Sequence, residues 1–300
     1  MRIIVAHTSP DMDAITSIWL IKKFLPGWEE ASLQFVPAGE AVGRTPEAGL
    51  KLTDPIETIG KDLVVHVDTG LGPLDHHQTS SEKVCAASLT FDYVMKVMKE
   101  SVPEMNEDKY QALKRIVDVV VQVDHFKEVF WANPTADYLE FTTIGILDGL
   151  KLAKPNQDKF YVEFITEALD ALLHQFENRI WAEKEIKENG IEFKSRFGKS
   201  IAFETINDSV IKLAQKMGYY LVLRKDPRKG YVRIKVRPTG DGEKSLDLTL
   251  VYEKLRKIDP DATWFLHVSK KMLLNGTVKN PKMRPTKLSL SDIIEVIKSI

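Results

Sequence analysis

Residues 2–6 read RIIVA, a short β-branched apolar run of the kind that forms a buried strand. After a polar turn, residues 14–24 carry apolar side chains three and four apart, the spacing of a helix. Residues 33–37 and 63–68 (LVVHVD) read as further strands, and 87–99 and 109–123 as amphipathic helices. Strands alternating with helices imply an α/β fold with a doubly wound, mostly parallel sheet, and such sheets gather ligands at the carboxyl ends of their strands. The pattern over 159–187 predicts one long helix, which Glu188-Asn189-Gly190 would cap. That cap suggests a boundary, with one domain over 1–190 and another over 191–300. In the second stretch the spacing predicts helices over 207–217, 248–257 and 291–300 and strands over 219–224, 231–237 and 263–268, a smaller α+β domain.

Length agrees with this division: 300 residues suit two domains of roughly 100 to 200 residues each. Hydrophobic residues at 43% and charged residues at 28% exclude a disordered or fibrous chain. Cys85, the single cysteine, cannot close an intrachain disulfide, and the opening MRIIVAHTSP lacks the apolar stretch of a secretory leader, so a cytoplasmic protein is expected. No apolar run reaches the roughly 20 residues of a membrane span, so no membrane partner is expected. An oligomer is possible but nothing indicates one.

The net charge of -1 conceals a division. Residues 1–190 hold 19 basic and 31 acidic side chains, a net -12, whereas 191–300 hold 23 and 12, a net +11. An acidic half that concentrates cations beside a basic half that attracts anions suits a metal-dependent enzyme acting on phosphate esters. Attraction between the two halves would explain the same numbers.

Candidate chemistry lies in three polar clusters. His7-Thr8-Ser9-Pro10-Asp11-Met12-Asp13 follows the first strand and offers one imidazole and two carboxylates, a donor set suited to Mn²⁺ or Mg²⁺ rather than to a thiolate zinc site. Taken alone, Asp11 or Asp13 could simply cap the next helix. Asp68 closes the LVVHVD strand, and Asp75-His76-His77 follows seven positions later; such neighbours are costly to crowd together unless an ion organises them. Asp124-His125 ends the apolar run 116–123.

In this order, His7-x-x-x-Asp11-x-Asp13, Asp68, Asp75-His76-His77 and Asp124 resemble the motifs of the DHH phosphoesterase superfamily. That superfamily includes RecJ-like exonucleases, oligoribonucleases, cyclic-dinucleotide phosphodiesterases and family II inorganic pyrophosphatases. The resemblance covers about the first 130 residues. It implies two Mn²⁺ ions, with Mg²⁺ possible: His7 and Asp11 on one, Asp13, His76 and Asp124 on the other, and Asp68 bridging. It further implies that Asp68, His77 and Asp75 serve catalysis, His77 touching the substrate phosphate and Asp75 orienting the imidazole beside it.

The Gly-Gly-Gly-His signature common in the superfamily's second domain does not occur. Instead, Trp264 to Val268 with Leu274-Asn275-Gly276, and the stretch from Tyr220 to Tyr231, are similar to the MYG-type branch, whose first motif differs from the one here. His267, Lys270, Lys271 and Asn275, helped by Arg224, Arg233 and Arg237, are the expected phosphate or nucleotide contacts. A structural histidine and a solvated edge strand are the competing readings. The expected function is a metal-dependent phosphodiesterase or exonuclease that hydrolyses short oligonucleotides or nucleotides with metal-activated water. Its partner would be a phosphate-containing small molecule or a short single-stranded nucleic acid. Hydrolysis of pyrophosphate or polyphosphate, and a non-catalytic metal- or nucleotide-binding module, are the alternatives.

Overall fold

The structure, a computed structural model, describes residues 1–101, 105–243, 245–277 and 279–300, and the fold is mixed α/β. It divides into two compact units, Met1–Glu177 and Asn178–Ile300.

The first unit runs β1 (Arg2–His7), α1 (Met12–Phe24), β2 (Ser32–Val36), a short α2 (Pro46–Gly49), β3 (Ile56–Ile59), β4 (Asp62–His66), α3 (Ala86–Ser101) and α4 (Glu107–Asp124). Two 3₁₀ turns and α5 (Thr143–Ala153) follow, and then α6 (Asp158–Asn189), which continues into the second unit. The sheet order is β2-β1-β4-β3, with β1 parallel to both neighbours and β3 antiparallel to β4. Because β1 is central, Ile4 and Val5 are fully buried although they point to opposite faces, so the run is continuously apolar rather than alternating. Helices α1, α3 and α4 pack on one another, and Ile15, Ile18, Leu20 and Ile21 of α1 are fully buried. The parallel register sets Val5 opposite His66. His7 therefore emerges level with Asp68 at one sheet edge.

The second unit continues β5 (Ile191–Ser195), β6 (Gly198–Glu204), α7 (Ser209–Lys216), β7 (Leu221–Lys225), β8 (Val232–Val236), α8 (Thr249–Ile258), β9 (Trp264–Leu266), β10 (Met272–Asn275) and α9 (Leu290–Lys298). Its sheet order is β5-β6-β7-β8-β10-β9, with β6 and β7 paired in parallel and the other described neighbours antiparallel. Leu221, Leu223, Ile234, Val236 and Leu273 form one core with Val251 and Leu255 of α8 and Ile293 and Ile297 of α9. On the other face Ile201, Phe203 and Val222 pack with α7 and with Ala182 and Ile186 of α6. These last turns of α6 belong to the second core, which is why the division falls inside the helix and not at its cap near 190. Strands β3, β5, β6 and β10 are beyond the sequence expectation. β3 and β10 are only four residues long and β5 is polar at alternate positions, so pairing rather than local propensity makes them strands, whereas β6 is a seven-residue strand with a continuously buried middle that the sequence reading passed over.

Candidate metal centre

His7 Nε2 lies 3.2 Å from Asp68 Oδ2 and 3.9 Å from Asp11 Oδ2. Its other ring nitrogen, Nδ1, is 2.9 Å from the Thr8 carbonyl oxygen. A carbonyl only accepts, so in the neutral ring Nδ1 carries the proton and Nε2 turns a lone pair towards the two carboxylates. Asp11 divides its work between its oxygens. Oδ1 caps α1, accepting from the backbone N–H groups of Asp13 and Ala14 at 2.9 and 3.0 Å, while Oδ2 faces His7. The capping role that competed with ligation thus uses a different atom.

Asp13 is buried in the first turn of α1 and accepts from the N–H groups of Ala86 and Ala87, at 2.7 and 2.6 Å, at the start of α3. That is the helix end that favours a negative charge. His76 Nε2 is the second focus, 3.7 Å from Asp13 Oδ2, 3.5 Å from Asp68 Oδ1 and 3.6 Å from Asp124 Oδ2. Asp68 therefore turns one oxygen to each imidazole. It does so from a φ of 53°, in the left-handed region that few residues other than glycine adopt. Asp75 is buried behind the group, with Oδ2 accepting from Leu71 N–H at 2.7 Å and Oδ1 lying 2.7 Å from His77 Nδ1. His77 is exposed at the rim, its Nδ1 3.7 Å from Asp68 Oδ1. The structure thus brings His7, Asp11, Asp13, Asp68, His76 and Asp124 into one cluster, with His77 beside them.

The donors fit a divalent cation. Asp68 Oδ1 and Asp124 Oδ2 are buried and accept no hydrogen bond, although buried polar atoms are normally satisfied. Asp124 is also the last residue of α4, where the helix dipole opposes a carboxylate. Burial, reinforced by the charge of Asp68, pushes the Asp13 carboxyl well above its usual range, and burial raises Asp124 as well. Asp68 is held below its usual range despite burial, because His7 and His76 face it. Burial opposes a charged His7, yet Asp68, Thr8 and Asp11 outweigh it and lift the ring to about 9. Asp68, followed by Asp124 and Asp13, lifts His76 to about 9 against the effect of burial. Nitrogen and carboxylate donors around such unspent oxygens can hold metal ions.

Metal binding must expel the protons held by His7 and His76. Affinity for Mg²⁺ is therefore expected to climb as pH rises towards about 9 and to level off above it. Both folded values are raised, so their stabilisation of the metal-free fold is complete below about 6.5 and disappears as pH rises through about 9. Calorimetric titration with Mg²⁺ in buffers of different ionisation enthalpy reads the proton release. An affinity independent of pH over this window would contradict the assignment.

In the second unit, the expected phosphate contacts are largely engaged with their own neighbours. Asn275 is fully buried, its Nδ2 donating to the Thr263 and Arg284 carbonyls at 3.0 and 3.1 Å and its Oδ1 accepting from Thr286 N–H at 2.6 Å. It ties β10 to adjoining chain segments and is closed to a ligand, which corrects the sequence expectation. Arg224 is buried, with Nε 2.8 Å from Asp208 Oδ1, and Arg233 pairs with the same carboxylate. Arg237 pairs with Glu243 at 2.6 Å and lies over the Tyr220 ring. Lys270 Nζ is 3.4 Å from Asp247, Lys271 Nζ is 3.4 Å from Thr239, Ser245 and Leu246, and His267 Nδ1 is 2.8 Å from Ser269 Oγ.

Several supporting residues were assigned no task in the sequence reading, although His125 stood there beside Asp124. His125 Nε2 is 3.6 Å from Asp124 but lies 2.9 Å from the Val84 carbonyl, to which it donates. Arg44 forks onto Glu57 at 2.6 and 3.2 Å and donates through Nη1 to the Gly70 carbonyl at 2.6 Å. His66 Nε2 accepts from Val42 N–H at 2.9 Å, which leaves its Nδ1 to donate to Glu57 at 2.8 Å. Burial lowers the His66 pKa, in keeping with a neutral ring. A Cβ at Gly49 would sit 2.3 Å from the Gly70 oxygen, so only glycine fits under this anchor. The single sequence signal for the network was a histidine inside an apolar strand, which needs a partner once buried.

No family model matches the chain, and no curated protein matches it. Among solved structures, it aligns with the pGpG-specific phosphodiesterase PggH of Vibrio cholrae, 12% identical over 98% of each chain at a TM-score of 0.25. So loose a superposition carries no argument about fold or chemistry. No described helix is long and apolar enough to cross a membrane.

Proposed function

We propose that this protein is a metal-dependent phosphodiesterase of the DHH type, acting on short oligonucleotides or nucleotides. The observation that carries the proposal is the pair of buried carboxylate oxygens that accept no hydrogen bond, Asp68 Oδ1 and Asp124 Oδ2, facing His76 while the other oxygen of Asp68 faces His7. His7 and Asp11 would hold one ion and Asp13, His76 and Asp124 a second, with Asp68 shared, and Mn²⁺ is the ion we favour. The first unit would be catalytic and the basic second unit would bind substrate.

When bound, such ions activate water and neutralise charge on the phosphoryl oxygens. The remaining tasks belong to side chains. Asp75 holds His77 by Nδ1, so that protonation of Nε2 makes that exposed nitrogen a donor to a phosphate oxygen as negative charge builds there. The Thr8 carbonyl fixes the ring of His7, and the α3 N–H groups fix Asp13.

The test is hydrolysis by metal-stripped protein with Mn²⁺ or Mg²⁺ restored, against short RNA and DNA oligomers, cyclic dinucleotides and pyrophosphate. Turnover on the nucleotide substrates that appears only with metal is expected. Turnover on pyrophosphate alone would move the protein to the phosphoanhydride hydrolases, and turnover undiminished by a chelator would overturn the metal requirement.

A further inference from the structure

One face of the second sheet lies under α8 and α9, but at β8, β10 and β9 the opposite face still reaches solvent. Strand register arranges its side chains in rows. Arg224, Arg233, Leu274 and Phe265 are successive cross-strand partners over β7, β8, β10 and β9, and Lys235 opposite Met272 belongs to the adjoining row. The chemistry along these rows is mixed. Phe265 is 48% exposed although it lies within a strand, and Leu274 and Met272 beside it are half-buried. Arg224 and Arg233 share the single carboxylate of Asp208, which leaves the trio net positive. Lys235 makes no ion pair with a described residue.

We infer that this face is a binding platform for a short single-stranded oligonucleotide, an inference that rests on the phosphodiesterase reading and narrows its substrate class. Phe265 offers a ring face on which a base can stack, and stacking tolerates any base. Arg233 lies two strand spacings away, roughly 9–10 Å, so flanking phosphates of a base on Phe265 fall over the cations of β8. The net charge of +11 over 191–300 complements a polyanion. An inorganic anion such as pyrophosphate would have no use for the ring or for the apolar strip beside it.

The experiment is fluorescence anisotropy of a labelled single-stranded oligoadenylate with the full chain, in chelator to stop turnover and over a range of salt. Phe265→Ala is expected to weaken binding by about five- to a hundredfold, the worth of one base stack, while Phe265→Trp retains it. Lys235→Ala is expected to reduce the slope of log affinity against log salt by about one. Both side chains reach solvent, so a melting curve like that of the wild type shows that the variants fold. Affinities unchanged in both variants, or equal competition by polyglutamate, would overturn the platform. Wild-type hydrolysis of bis(4-nitrophenyl) phosphate with Mn²⁺ reads the metal centre separately. A chain that binds the oligomer through Phe265 but hydrolyses nothing keeps the platform and loses the hydrolase reading, and the reverse result does the opposite.

Discussion

Asp68→Asn is expected to lower turnover on a short oligonucleotide by on the order of a thousandfold or more, equivalent to about 4 kcal/mol or more of transition-state stabilisation. Asp68 faces both His7 and His76 with separate oxygens, so loss of its charge weakens both halves of the cluster at once. Asparagine keeps the shape and tolerates the left-handed backbone at this position, so the loss would not reflect a broken turn. Activity within tenfold of the wild type, in a variant with the wild-type circular dichroism, would refute the shared-ligand role.

The second large effect concerns stability. Arg44→Ala removes the only charged partner that Glu57 has among its described contacts apart from the neutral His66, and it also takes the donor from the Gly70 carbonyl. The pair is mostly but not fully buried, each side chain 10% exposed, so its loss on one side should cost about 3 kcal/mol, the lower end for a buried pair, and the urea midpoint should fall accordingly. The loop that starts at Asp68 and carries Asp75, His76 and His77 hangs from this anchor, so metal affinity should fall by about 10–100-fold as well. Arg44→Lys restores charge without the planar fork and should fall between the two. A cost under about 1 kcal/mol would show that the network is dispensable.

The beginning of the chain was legible because local pattern and tertiary structure agree there. An apolar run with a histidine at its end, followed by an aspartate that caps a helix, dictates β1, the turn and α1 with little help from distant residues. The meeting of His7 with Asp68 was legible through the rule that parallel strands bring their carboxyl ends to one edge. Arg44, Glu57 and His66 were not, because each stands alone in a different segment and only the pairing of β3 with β4 and the loop after β2 join them. The cations of the second unit misled in the opposite way. Arginine in a basic run looks wholly free for phosphate, but Glu243 pairs with Arg237, and Arg224 and Arg233 share Asp208, neither carboxylate adjacent in sequence, so only part of that positive charge is left over. Asn275 was misread for a similar reason, since residue type does not show whether backbone groups will saturate an amide.

The central claim, a two-ion centre with Asp68 shared, is tested most directly by counting ions. Metal-stripped protein is titrated with Mn²⁺ and the ions bound per chain are read by native mass spectrometry, for the wild type and for Asp68→Asn. Two ions on the wild-type chain and fewer on the variant are expected; a single ion on the wild type, or two on both chains with equal affinity, would contradict it.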